Sequence, residues 1–133
     1  KQGVRDFDPA SVPGVRLDSD EILQAIRTRA ARQTMVDAFL NTGHAYEQRN
    51  GMLTVQRTRE YKSFGSSRDR DRNALLVMGE NDDRWALYEG LRKLNRYPER
   101  SLSAVQEIFH EARVGVLDPG QKYESASGEI VAK

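Results

Sequence analysis

At 133 residues, of which 38% are hydrophobic and 31% charged, the chain is long enough to bury a core unaided and too apolar to be wholly disordered. It has no cysteine, which excludes disulfides, thiolate metal sites and a cysteine nucleophile and fits a cytoplasmic setting. A formal net charge of +1 excludes a uniformly basic polyanion binder, so any nucleic-acid contact has to come from a local patch.

No apolar run approaches the roughly 18 to 20 residues that cross a bilayer, and no basic segment leads into an apolar one as in a signal peptide. A soluble chain without membrane contact is expected. The first residue is Lys1 and not methionine, from which a piece of a longer polypeptide with flanking domains is expected. Residues 1–17 contain Pro9, Pro13, Gly3 and Gly14, the composition of an extended lead-in or linker that Phe7, Val12, Val15 and Leu17 could anchor. Asp18, Ser19 or Asp20 can then cap a helix, with Glu21 at the positive end of its dipole. Ile22, Leu23, Ile26, Ala30, Met35, Phe39 and Leu40 recur at helical spacing, with Arg27, Arg29, Arg32 and Gln33 mostly off that stripe and a break allowed near Arg32 to Thr34. Asn41-Thr42-Gly43 supplies the stop.

His44 to Arg57 follows as a β-hairpin. Asn50-Gly51 suits a two-residue type I′ turn, which sets Arg49 opposite Met52, Glu47 opposite Thr54 and Tyr46 opposite Val55. That register gives Tyr46, Leu53 and Val55 to the core and turns Glu47, Thr54 and Arg49 outward. From Arg57 to Arg72, six basic residues (Arg57, Arg59, Lys62, Arg68, Arg70, Arg72) outnumber three acidic ones (Glu60, Asp69, Asp71), with Tyr61 and Phe64 interleaved. Gly65-Ser66-Ser67 marks a turn, so a loop or partly extended arm is expected there. Ala74 to Met78 reads as a short buried strand. Asn81, Asp82 and Asp83 then cap a helix with Trp85, Leu87, Tyr88, Leu91 and Leu94 on its apolar side, and Gly90 within it points to a close packing contact. After Pro98, Ser101 or Ser103 can cap another helix carrying Leu102, Val105, Ile108, Phe109 and Ala112, ending near Gly115. Val114 to Leu117 could add a strand before the turn Asp118-Pro119-Gly120. The expected class is α+β: a single domain over 18–120 with three or four helices packed on a hairpin and one or two further short strands, followed by a flexible tail at 121–133.

A helix that stops at a glycine and enters a tight hairpin resembles the closing half of a winged-helix domain, over Ser19 to Arg57. The resemblance implies a DNA-facing helix carrying Arg27, Arg29 and Arg32, and a wing carrying Arg49 and Arg57 against phosphates. The chain departs from a complete winged helix, which has three helices before its wing. The segment from Asn73 to Asn95 is similar to a strand-to-helix piece of conjugative relaxase-helicases of the TraI type, but the chain has no phosphate-cradling GxxxxGK[ST] motif.

The basic segment has its own nucleic-acid reading, with Arg57, Arg59 and Lys62 on phosphates and Tyr61 and Phe64 stacking on unpaired bases. Glu107, His110 and Glu111 share a helical face, yet no second such motif exists to complete a metal site, so neither metal nor cofactor is expected. Neither histidine has a triad context and no GxSxG elbow occurs. The leading expectation is therefore a noncatalytic nucleic-acid-binding module, one part of a larger DNA-processing protein. The alternative is a protein-interaction domain, such as part of an effector, phage or assembly protein, that binds through its helical faces, the stripe Trp85, Tyr88, Leu91 included.

Overall fold

The computed structural model describes residues 19–133; the lead-in at 1–17, its proposed apolar anchors and Asp18 lie outside the described residues. Helix α1 spans Asp20–Asn41 and is capped by Ser19, whose hydroxyl accepts from the Ile22 amide at 3.4 Å. It runs unbroken through Arg32–Thr34. Arg29 and Gln33, expected off the apolar stripe, lie on the buried face with Ile22, Ala25, Val36, Phe39 and Leu40. Leu23 and Met35, counted on the stripe, are exposed. The helical period is continuous only when Arg29 and Gln33 are included in it. Gly43, with φ +79°, follows Thr42 and redirects the chain into the hairpin.

Strands β1 (Ala45–Glu47) and β2 (Leu53–Val55) pair antiparallel with Ala45 opposite Val55, Tyr46 opposite Thr54 and Glu47 opposite Leu53. This is one residue out from the type I′ register. The Gly51 amide donates to Gln48 O at 2.9 Å, the Gln48 amide donates to Met52 O at 2.8 Å, and Gly51 has φ +83°. The loop is thus three residues closed by a left-handed glycine, a solution that Asn-Gly supports as readily as the two-residue turn. A one-residue slip exchanges the faces of a strand. Glu47 accordingly points inward and is fully buried beside Ala45 and Leu53, while Tyr46 lies on the other face.

Thr58 caps the four-residue helix α2 (Arg59–Lys62), the Tyr61 amide donating to its hydroxyl at 3.1 Å. Helix α3 then spans Ser67–Leu94, and its 28 residues take in the end of the expected arm from Ser67 to Arg72 and the whole of the expected strand at Ala74–Met78. Ser66 starts it with a reciprocal capping box: its hydroxyl accepts from the Asp69 amide (3.2 Å), and the Asp69 carboxylate accepts from the Ser66 amide (3.0 Å). Within the apolar run, Leu76 and Val77 pack on the core while Leu75 and Met78 face outward, which is helical and not alternating phase. Helices α1 and α3 run antiparallel. A Cβ on Gly90 would sit 2.8 Å from Ile22 Cγ1, so the close contact expected of this glycine is realised.

After a 3-10 turn at Glu99–Ser101, helix α4 spans Leu102–Val116, continuing past Gly115 through most of the stretch read as a strand. The turn at Asp118 forms as expected, the Gln121 amide donating to Asp118 O at 3.1 Å with Gly120 at φ +92°. Residues 121–133, expected as a tail, carry strands β3 (Lys122–Glu124) and β4 (Ile130–Ala132). The sheet order is β2-β1-β3-β4, with β1 and β3 parallel and the other pairs antiparallel. The protein is therefore an α+β domain of four helices packed with a small four-stranded mixed sheet. Two apolar clusters flank its centre. One gathers Val36, Phe39, Leu40, Ala45, Leu53, Tyr61 and Leu117; the other gathers Ile22, Ala25, Leu87, Tyr88, Leu91 and Phe109. No helix among the described residues is long and apolar enough to cross a membrane.

Candidate nucleic-acid interface

The arginines among the described residues divide into those held inside and those left at the surface. Inside, Arg84 grips Glu47 with two bonds (Nη1 to Oε1 2.6 Å, Nη2 to Oε2 3.0 Å) and donates from Nε to Glu80 at 2.7 Å. Arg113 from α4 donates to Glu47 at 2.9 Å, Arg29 from α1 donates to Glu80 at 3.0 Å, and Arg32 bridges Glu80 (3.1 Å) and Asp83 (3.0 Å). The Arg29 and Arg84 guanidiniums also lie 4.8 and 5.2 Å from the centre of the Phe109 ring. Burial alone would push the Glu47 carboxyl up; Arg113 and Arg84 overcome that and hold it down at about 2. Glu80 is lowered in the same way, Arg84 and Arg29 outweighing its burial. Three helices and the central strand thus meet through one ion cluster. Its geometry is that of a structural clasp, bidentate and hydrogen-bonded on both sides.

This placement removes three residues from the nine expected at a nucleic-acid surface. Arg29 is 2% exposed and committed to Glu80, Arg32 is committed to Glu80 and Asp83, and Tyr61, 5% exposed, belongs to the core. Arginine on an amphipathic helix reads as surface by default, and only the partner glutamates, 48 or more residues away in sequence, mark these as interior.

Two more residues are exposed but stand apart. Arg27 donates to Gln24 Oε1 at 3.0 Å and lies about 18 Å along α1 from Phe39, at 1.5 Å rise per residue. Arg49 sits at the far end of the hairpin, where its backbone amide donates to Glu124 Oε1 and its side chain to Ala126 O, both at 3.0 Å. There it borders a groove of about 580 Å³ between α4 and the two hairpin loops, shared with Glu107, His110, Glu111 and Glu124. The groove mixes charges. His110 Nε2 is 3.0 Å from Glu124 O, and no group of three or more His, Asp or Glu among the described residues is placed to hold a metal.

The remaining four, Arg57, Arg59, Lys62 and Phe64, lie together at the corner formed by the end of β2, α2 and the start of α3. Arg57, Lys62 and Arg70 line a cleft of about 280 Å³ with Val55, Tyr61, Ala74 and one acid, Asp71. Arg70 also donates to Phe64 O (3.2 Å) and Gly65 O (3.4 Å), which staples the α2–α3 loop. Arg70 was visible as part of the basic run but not as a member of the site, because the helix that aims it was read as a loop. The side chains of Arg57, Arg59, Lys62 and Arg68 are exposed and make no hydrogen bond or ion pair with described residues. Phe64 is 37% exposed; its ring is 4.5 Å from that of His44 and 6.3 Å, nearly parallel, from that of Tyr61. The rings anchor a mobile-looking sequence to the core and leave one aromatic edge at the rim.

A second surface is apolar. Leu75 (68% exposed), Met78 (61%) and Trp85 (44%) share the outward side of α3 with Asp71 and Asp82, whereas Tyr88 and Leu91, which the sequence grouped with Trp85, are core. Comparison of the chain with protein-family models, with curated proteins and with solved structures finds no match.

Proposed function

We propose that this domain is a noncatalytic nucleic-acid-binding module whose contact surface is the α2 corner. The observation that carries the reading is the cleft in which Arg57, Lys62 and Arg70 converge around a single carboxylate, flanked by Arg59 and Arg68 with no internal partner. A phosphate needs converging donors that are not already spent on protein acids, and these residues meet that requirement. Phe64 at the rim can stack on an unpaired base, which favours single strands over duplex. Arg29 and Arg32 take no part, Tyr61 serves as a wall of the cleft and not as a stacking platform, and Arg27 and Arg49 are too distant to share one short ligand.

Binding to labelled single- and double-stranded oligonucleotides across a salt series tests this. The apparent affinity should fall as salt rises, and the triple change Arg57→Ala, Arg59→Ala, Lys62→Ala should lower the salt slope by roughly 2. Absence of binding at low salt, or an unchanged slope in the triple variant, overturns the proposal. A second reading, a protein-interaction domain, rests on the α3 stripe of Leu75, Met78 and Trp85 among acids. The partner it fits is an amphipathic helix with apolar anchors and basic flanks. Trp85→Ala would abolish that interaction and leave oligonucleotide binding intact.

A further inference from the structure

The two edges of the sheet are treated differently. Along β2 the edge is occupied: Asn81 Nδ2 donates to Leu53 O and Asn81 Oδ1 accepts from the Leu53 amide, both at 2.8 Å. One side chain thus imitates the next strand. Along β4 no described residue plays that part. The Lys133 amide donates to Gln121 O (2.8 Å) and the Ser125 amide to Glu129 O (2.7 Å), which sets the phase of the β3–β4 ladder. Residues 129, 131 and 133 therefore turn their peptide groups toward β3, while Ile130 and Ala132 turn theirs outward. No described residue bonds to those outward groups. The strand also lacks a proline, a common protection of an edge.

We propose that β4 pairs antiparallel with β4 of a second copy across a two-fold axis, doubling the four-stranded sheet. The phase of the outward groups selects the register. Ile130 opposite Ala132 of the second copy, and the reverse, is the arrangement that uses both outward residues of both strands. Sliding by one residue opposes peptide groups that are already bonded to β3; sliding by two leaves one outward residue of each strand unpaired. The selected register places Val131 against Val131 on the axis and Glu129 against Lys133 at both ends. Glu129-Ile130-Val131-Ala132-Lys133 is thereby charge-complementary to its own reverse, which is what a symmetric interface requires. Glu129, Val131 and Lys133 share one side of the strand, so both cross-strand ion pairs flank the valine contact. The ammonium of Lys133 donates to Val114 O and keeps further hydrogens for the opposing carboxylate.

The interface is small, so association should depend on concentration. Sedimentation equilibrium of the full chain over about a hundredfold concentration range should show a monomer shifting to dimer. Ala132→Pro removes an amide hydrogen that the monomer does not use, and should weaken association about tenfold or more with unchanged circular dichroism. Glu129→Lys places like charges opposite each other and should weaken it as well. The exchange Glu129→Lys with Lys133→Glu rebuilds the pair in reverse and should restore the wild-type curve. A chain that stays monomeric throughout overturns the proposal, as does an Ala132→Pro variant that associates like wild type, or a charge exchange that fails to rescue Glu129→Lys.

Discussion

The two hairpins are closed by the same loop and set in opposite surroundings. Gly51 donates to Gln48 O and has φ +83°; Gly128 donates to Ser125 O and has φ +87°. Around β1–β2, however, Glu47 is sunk among Arg84 and Arg113, the Gly51 carbonyl accepts from Tyr88 and Arg84, and Asn81 covers the edge. Around β3–β4 the loop is exposed, a Cβ on Gly128 would meet no described atom nearer than Glu124 Oε2 at 4.0 Å, and no described residue covers the edge. A turn motif fixes register and says nothing about burial. What packs on the strands decides which charges go inside.

The largest expected break in this comparison is Arg84→Ala, which removes the partner shared by two buried carboxylates and should cost about 3–5 kcal/mol in urea unfolding. Arg49→Ala, which releases only an exposed bond to Ala126 O in the second hairpin, should cost under about 1 kcal/mol. The same clasp gives the wild type an acid limb. The Glu47 carboxyl is held at about 2 against 4.5, so its stabilisation is complete above about pH 4.5 and is lost as pH falls toward 2. Urea midpoints measured from neutral pH downward should fall over that window, and less steeply in Glu47→Gln.

How far the sequence revealed this depends on the range of each signal. Ser19 and Gly43 bound α1, and Asp118-Pro119-Gly120 makes its turn, because caps and turns are satisfied by neighbours. The tight approach at Gly90 was likewise legible as an anomaly inside a helix. The register of β1–β2 was not. Asn50-Gly51 admits two loop lengths, and the two-residue turn read from it sets Glu47 on the outer face, whereas Glu47 finds its partners 37 and 66 residues away. Of the candidate interface, the basic surplus at Arg57–Lys62 was legible, while the diversion of Arg29 and Arg32 into the clasp and of Tyr61 into the core depended on tertiary neighbours.

A smaller effect sharpens the comparison at the loops. Gly51→Ala incurs left-handed strain and sets a Cβ 2.7 Å from the Tyr88 hydroxyl, for an expected loss of about 2–4 kcal/mol. Gly128→Ala incurs the strain alone, about 1–2 kcal/mol. Equal losses would mean that Tyr88 moves aside freely. Asn81→Ala is expected to cost about 1–2 kcal/mol by unpairing Leu53. It should also create a second open edge, seen as aggregation faster than wild type at equal stability.

The parallel pairing of β1 with β3 joins Tyr46 to Lys122 across three helices. For a chain emerging from the ribosome, that fixes an order of events. The first hairpin, α1 and α3 can assemble around Arg84 early, but Arg113 and the strand that covers β1 arrive only after α3 has been made. Until then β1 is itself an edge, and the interval before β3 docks is when this fold is most open to pairing with the wrong strand.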